Sequence, residues 1–224
     1  MARVRLWLAA ALGTLGAWSG AALPVQAGDL VATVRDHQGQ PVEDGVVSAT
    51  PEARALTPPA KPGRDSVDQV NREFVPHVKP IVVGTALYFP NKDSIRHHVY
   101  SFSPAKTFDI PLYVGTPAEP IVFDRPGVVT IGCNIHDWMI GHIYVVETPH
   151  FGKTDAAGRV RLPNLPAGRY AVWLWHPRLD APEESTGRSV AIERSGAVET
   201  VWELRLKPEL RPRRAPVPGQ RLYR

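Results

Sequence analysis

The apolar positions of this chain fall into short runs that alternate or are β-branched, and none repeats convincingly at helical spacing. Leu30-Val31-Ala32-Thr33-Val34-Arg35 and Gly45-Val46-Val47-Ser48-Ala49 predict two strands around the turn at 36–41. Stronger β-runs follow at 80–84, 86–89, 98–102, 121–123, 128–131 and 139–146. After Thr148 the pattern of the two opening strands returns, with a turn at 153–158 entering a strand and a further strand at 168–175. The last run, 198–206, sets Val198, Thr200, Trp202 and Leu204 on one face. With 23 prolines and 18 glycines between the runs, the pattern predicts an all-β protein.

An isolated hairpin is marginal in water, so the two opening strands need partners. Residues 28–50 are therefore expected to complete one smaller β-sandwich with residues 152–206. A Pro-rich linker, 51–65, leads from its first part into a second sandwich, 66–148, nested within it.

The amino terminus changes the setting. Met1-Ala2-Arg3-Val4-Arg5 is followed by an apolar run over 6–18 and by Val25-Gln26-Ala27, the pattern of a signal peptide over 1–27. Its apolar core is short for a membrane span. Export to the periplasm is the expectation. Without Arg3 and Arg5, 24 basic residues face 22 acidic ones, a formal charge of +2. The tail, 207–224, carries +5 of this and leaves the body at −3. The basic pI thus describes a Pro-rich tail on a mildly acidic body and does not argue for nucleic acid. The tail is a candidate for peripheral contact with anionic lipid.

The chemistry concentrates in Cys133-Asn134-Ile135-His136-Asp137-Trp138-Met139. A single cysteine in an exported chain excludes an intrachain disulfide and is a liability unless buried or occupied. Thiolate, imidazole and thioether within seven residues, with a second imidazole from His97-His98, form the ligand set of a copper electron-transfer centre. In a strand His97 and His98 point to opposite faces, so only one can join the site. Asp137 can orient His136 or lie in solvent, and Trp138 can shield the site or dock with Ile135 and Ile140. His77 and His142 read as structural or surface groups, His37 as a turn residue, His150 as a junction residue and His176 as a strand end.

Residues 66–147 resemble a cupredoxin, on the Cys-x-x-His-x-x-Met spacing of Cys133, His136 and Met139, the return strand Met139-Ile140-Gly141-His142-Ile143, and Phe89-Pro90-Asn91-Lys92-Asp93 before His97. The pattern is similar to amicyanin-type and methylamine-utilisation proteins. This resemblance implies a Greek-key sandwich holding one copper ion through His97, Cys133, His136 and Met139, with His98 where an asparagine ties the two loops together. It also implies single-electron transfer, without bond chemistry, between partners such as a dehydrogenase and a c-type cytochrome. Val34-Arg35-Asp36-x-x-Gly39-x-Pro41 and Thr154-Asp155-x-x-Gly158-Arg159 with Leu165-Pro166-x-Gly168-x-Tyr170 resemble the carboxypeptidase-regulatory-type, transthyretin-like sandwich, which implies scaffolding or docking. Copper storage or delivery, and an envelope scaffold or adhesion protein with an incidental metal site, are the competing readings.

Overall fold

A computed structural model describes residues 27–53 and 63–209. The expected leader apart from Ala27, the middle of the linker and the tail beyond Glu209 lie outside the described residues. The described residues begin with β1 (Ala27–Asp36) and β2 (Val46–Pro51). Ten strands follow: β3 (Arg64–Ser66), β4 (Asp68–Val70), β5 (Glu73–Val75), β6 (Val78–Val82), β7 (Thr85–Tyr88), β8 (His97–Ser103), β9 (Lys106–Tyr113), β10 (Ile121–Phe123), β11 (Gly127–Gly132) and β12 (Ile140–Val146). The last five are β13 (Phe151–Lys153), β14 (Arg159–Pro166), β15 (Gly168–Trp175), β16 (Arg188–Ile192) and β17 (Ala197–Leu204). No α-helix occurs among the described residues; Glu183–Thr186 form a 3-10 turn. The protein is all-β, as its patterning predicts.

The first and last strands of the described residues meet in one β-sandwich. β1 runs antiparallel to β14 and parallel to β17, and the sheet β13-β2-β15-β16 completes the pair. Strict alternation in β1 turns Leu30, Ala32 and Val34 inward, where they meet Val47, Leu174 and Trp202. Each buried leucine or valine among them contributes roughly 1.5–3 kcal/mol. Hydroxyls close the gaps: Thr154 Oγ1 donates to the Val42 carbonyl (2.7 Å) and accepts from the Gly45 amide (2.8 Å).

The central strands make a second sandwich, with sheets β6-β12-β11-β8-β9 and β10-β7-β3. Its core holds Phe89, Val99, Phe123, Val129, Ile131 and Ile143, and Cys133 and Met139 join the same cluster. Pro80 and Pro111 lie in β6 and β9, the two edge strands of the larger sheet, where a missing amide leaves no interior ladder bond unmade.

A third cluster joins the sandwiches. Val46 and Trp175 pack on Val78, Tyr144 and Val146, which project from the side of β6 and β12 opposite the central core. Tyr144 stacks on Trp175 at 4.9 Å and 3°, and its hydroxyl donates to the Glu183 carboxylate. Burial, followed by that bond and the Glu183 charge, raises the Tyr144 hydroxyl far above its usual range. Burial likewise pushes Glu183 up.

Candidate metal centre

Two chain segments converge at one end of the central sandwich. β11 ends at Gly132 and β12 begins at Ile140, so the loop between them carries Cys133, His136 and Met139. The loop closes on itself: the Cys133 amide donates to the Met139 carbonyl (3.2 Å) and the Met139 amide to the His136 carbonyl (2.9 Å). His97 enters from the first position of β8 with no exposed surface. Its Nδ1 lies 4.0 Å from Cys133 Sγ, and His136 Nδ1 lies 3.7 Å from the same sulfur. The three donor atoms sit within 4.8 Å of one another. The imidazole rings are 5.0 Å apart at 60°.

That spacing fits an ion. With zinc-like bonds of about 2.3 Å to thiolate and about 2.0 Å to imidazole, a 120° angle sets sulfur and nitrogen about 3.7 Å apart. Cys133 is 4% exposed and Met139 1%, both inside the apolar cluster that also contains Phe89. His136 is half-buried, beside the exposed Ile135, and Trp138 tilts against its ring at 5.3 Å. Burial, then the neighbouring His97, lowers the His136 pKa and favours the neutral imidazole that a metal requires.

Asp93 orients the second imidazole. His97 Nε2 lies 2.7 Å from Asp93 Oδ2, so the ring carries its proton on Nε2 and turns the Nδ1 lone pair toward Cys133. The carboxylate is itself held by the amides of Asn71 (2.7 Å) and Arg72 (2.8 Å), both left-handed at φ 55° and 61° in the turn between β4 and β5. Partial burial pushes Asp93 up, but the bonds from His97, Arg72 and Asn71 outweigh it and hold the carboxyl below its usual range. The buried Asn91 fixes the carrier loop, donating to the Ile95 and Tyr113 carbonyls (2.8 Å each) and accepting the Asp93 amide (3.0 Å). Gln69 donates to the Phe89 carbonyl (3.0 Å) beneath it. Burial pushes the adjacent Tyr113 hydroxyl up to about 12.

Three of the four expected ligands, His97, Cys133 and His136, thus bring their donor atoms together, and Met139 is buried in the same apolar cluster as Cys133. His98 points to the opposite face and pairs with Asp109 on β9, so it does not tie the two loops together. Asp137 is exposed, the second of its two expected placements, and the carboxylate that orients a ring is Asp93, acting on His97. His150 packs against Tyr170, and burial lowers its pKa. His37 stays in its turn. The supporting roles of Asp93, Asn91 and Gln69 do not show in the sequence pattern. The one signal there is Asn91-Lys92-Asp93, four residues ahead of His97.

Neither a protein-family model nor a curated protein sequence matches the chain. Among solved structures it is similar to a purple cupredoxin from Nitrosopumilus maritimus, at 24% identity and a TM-score of 0.32, over 38% of this chain and 99% of that one. It is also similar to a copper-containing nitrite reductase from Thermus scotoductus, at 29% identity and a TM-score of 0.35, over 53% of this chain and 28% of that one. A pseudoazurin from a Sinorhizobium matches at 23% identity and a TM-score of 0.31, over 39% of this chain and 77% of that one. Each likeness covers only about half of the chain or less.

Proposed function

We propose that this protein carries single electrons on one copper ion held by His97, Cys133 and His136, with Met139 as a weak axial ligand. The observation that supports this most is the convergence of one thiol and two Nδ1 atoms within 4.8 Å, with Cys133 and His97 buried and His136 half-buried. Thiolate favours Cu(I) and imidazole accommodates both oxidation states, so copper bound there supplies a one-electron couple. The chain's part is to keep the donors still. Asp93 holds the His97 tautomer, and backbone bonds lock Cys133 and His136 to Met139. Little rearrangement then accompanies electron gain or loss. The half-buried His136, flanked by exposed Ile135, is the side from which a redox partner approaches. Burial of Cys133 and His97 favours a carrier over a delivery protein, which must release its ion readily. Partners of the dehydrogenase and c-type cytochrome classes, and export to the periplasm by residues 1–27, complete the reading. No bond chemistry is assigned to the protein.

The test is visible absorption of the purified protein on addition of Cu(II). The wild type is expected to develop an intense thiolate-to-copper band with one ion bound, and Cys133→Ser to lose that band entirely. A wild type that binds no copper, or a variant with the same spectrum, overturns the proposal.

A further inference from the structure

The other sandwich covers the outer face of the five-stranded sheet at β6 and β12. Val78, Tyr144 and Val146 meet Val46 and Trp175 there, and Val128 of β11 packs against them. The same face continues across β11 to β8, where it carries a different surface. Alternation in β8 turns Val99 and Ser101 inward and sets His98, Tyr100 and Phe102 outward as a row of rings, 5.3 and 5.2 Å apart. Phe102 is 82% exposed, more than any other large hydrophobic side chain among the described residues. A projecting aromatic ring on a sheet face that is already an interface marks a further contact surface.

The strips on either side of the row fit one another. Opposite Tyr100, β9 presents Asp109 and β11 presents Gly132. The Asp109 side chain is 72% exposed and spends one carboxylate oxygen on His98. Gly132 has no side chain, and Tyr100 leans into that space: its hydroxyl lies 3.1 Å from the point a Gly132 Cβ would occupy. A two-fold axis laid along β8 keeps the row over itself and exchanges the strips. Each Asp109 then comes to lie over the other copy's Gly132, at the Tyr100 hydroxyl. A phenol can donate and a carboxylate accepts, so the two halves of this one face are complementary to each other.

We infer that this face pairs two copies of the chain, Phe102 on Phe102, with each Tyr100 hydroxyl donating to the partner's Asp109 carboxylate. Three partly covered rings fall short of a standard interface of about 800 Å² per partner, so the dimer is weak and governed by concentration. His97 is the first residue of β8, so a two-fold along that strand sets both metal centres at the same end of the dimer. The pairing itself does not depend on the Cys133 site.

Sedimentation equilibrium of the full chain, from micromolar to millimolar concentration, is expected to show a reversible monomer–dimer equilibrium. Phe102→Ser, a change at an exposed position, is expected to raise the dissociation constant at least tenfold. Tyr100→Phe and Asp109→Ala are each expected to weaken the dimer by a smaller factor, and together by no more than either alone, because they remove the same bond. A chain that stays monomeric throughout assigns the face to a different partner and overturns the inference. So does a dimer that Phe102→Ser leaves unchanged, and additive effects of Tyr100→Phe and Asp109→Ala overturn the phenol–carboxylate pairing. Should a variant fail to fold, concentration-dependent amide shifts of the wild type decide. Shifts centred on Tyr100, Phe102 and Asp109 support the pairing, and shifts centred elsewhere refute it.

Discussion

His97 and His176 are both buried histidines, 0% and 7% exposed, one in each sandwich, and their surroundings differ in kind. His176 is engaged by the backbone of its own sandwich at Arg178 and Glu43. It is a neutral strut. His97 has one nitrogen held by a carboxylate and the other aimed at a thiol. The same contrast runs through the two cores. Buried polar groups of the outer sandwich include Thr148, Thr154 and Thr186, hydroxyls that satisfy backbone. The central one has such hydroxyls too, at Thr85 and Ser101, but its Gln69, Asn91 and His97 gather at the Cys133 end, where His97 faces the thiol. Burial of polar atoms therefore does not mark function; an unspent donor facing other donors does.

The sharpest break of this contrast is Trp202→Ala. Trp202 is 2% exposed in the outer core, its Nε1 donates to the Thr186 carbonyl (3.0 Å), and Arg188 lies 4.5 Å over its ring. Truncation is expected to cost about 3–5 kcal/mol in urea unfolding. The copper spectrum of the folded variant should not change. A spectrum that shifts below the unfolding transition would show that the outer core shapes the metal centre.

The second break is a pH effect. Burial, with the nearby Arg178 charge, pushes the His176 pKa down to about 4. The unfolded chain takes up this proton near pH 6.5, its ordinary value, so it binds more protons than the folded chain between 6.5 and 4. The contribution to stability is therefore complete above pH 6.5 and lost as pH falls toward 4, up to about 3 kcal/mol. His176→Asn is expected to flatten the fall in melting temperature across that window relative to wild type. Parallel curves for the two proteins would refute the strut.

Alternation made most strands legible, and the runs at 86–89, 121–123, 128–131 and 168–175 coincide with β7, β10, β11 and β15. β9 has no counterpart among the predicted runs: Asp109 and Pro111 interrupt its apolar positions, and a proline is tolerated there by an edge strand. β3 to β5 are three residues each and carry charge, too short for a period to emerge. The choice between His97 and His98 is instructive. Tyr100 and Phe102 are larger apolar groups than Val99 and Ser101, so hydrophobicity alone turns the face of His98 inward. The structure does the reverse: Val99 is fully buried, while Phe102 is 82% exposed at the end of a row of rings with His98 and Tyr100. Cross-strand register outweighs side-chain hydrophobicity here. The role of Asp93, a residue inside a segment that the sequence singles out, was hidden for a different reason. Its role exists only because Asn71 and Arg72, more than twenty positions away, adopt a left-handed turn that aims two amides at one carboxylate.

Asp93 is accordingly the finest test of the contrast between the sandwiches. If the carboxylate serves to orient His97, Asp93→Ala leaves the ring free to rotate and to exchange tautomers, and copper affinity is expected to fall about 10–100-fold. Asp93→Asn should recover part of that loss. Its carboxamide oxygen can still accept from His97 Nε2, whereas its amide end cannot accept the second backbone N–H that Asp93 receives. A purely structural role predicts another pattern: both variants would lower the melting temperature of the metal-free protein while folded molecules bind copper as tightly as wild type. Competition with a chelator of known affinity, set beside apo-protein melting, separates the two. The orienting role requires the affinity order wild type, Asn, Ala, and equal affinities at reduced stability would refute it.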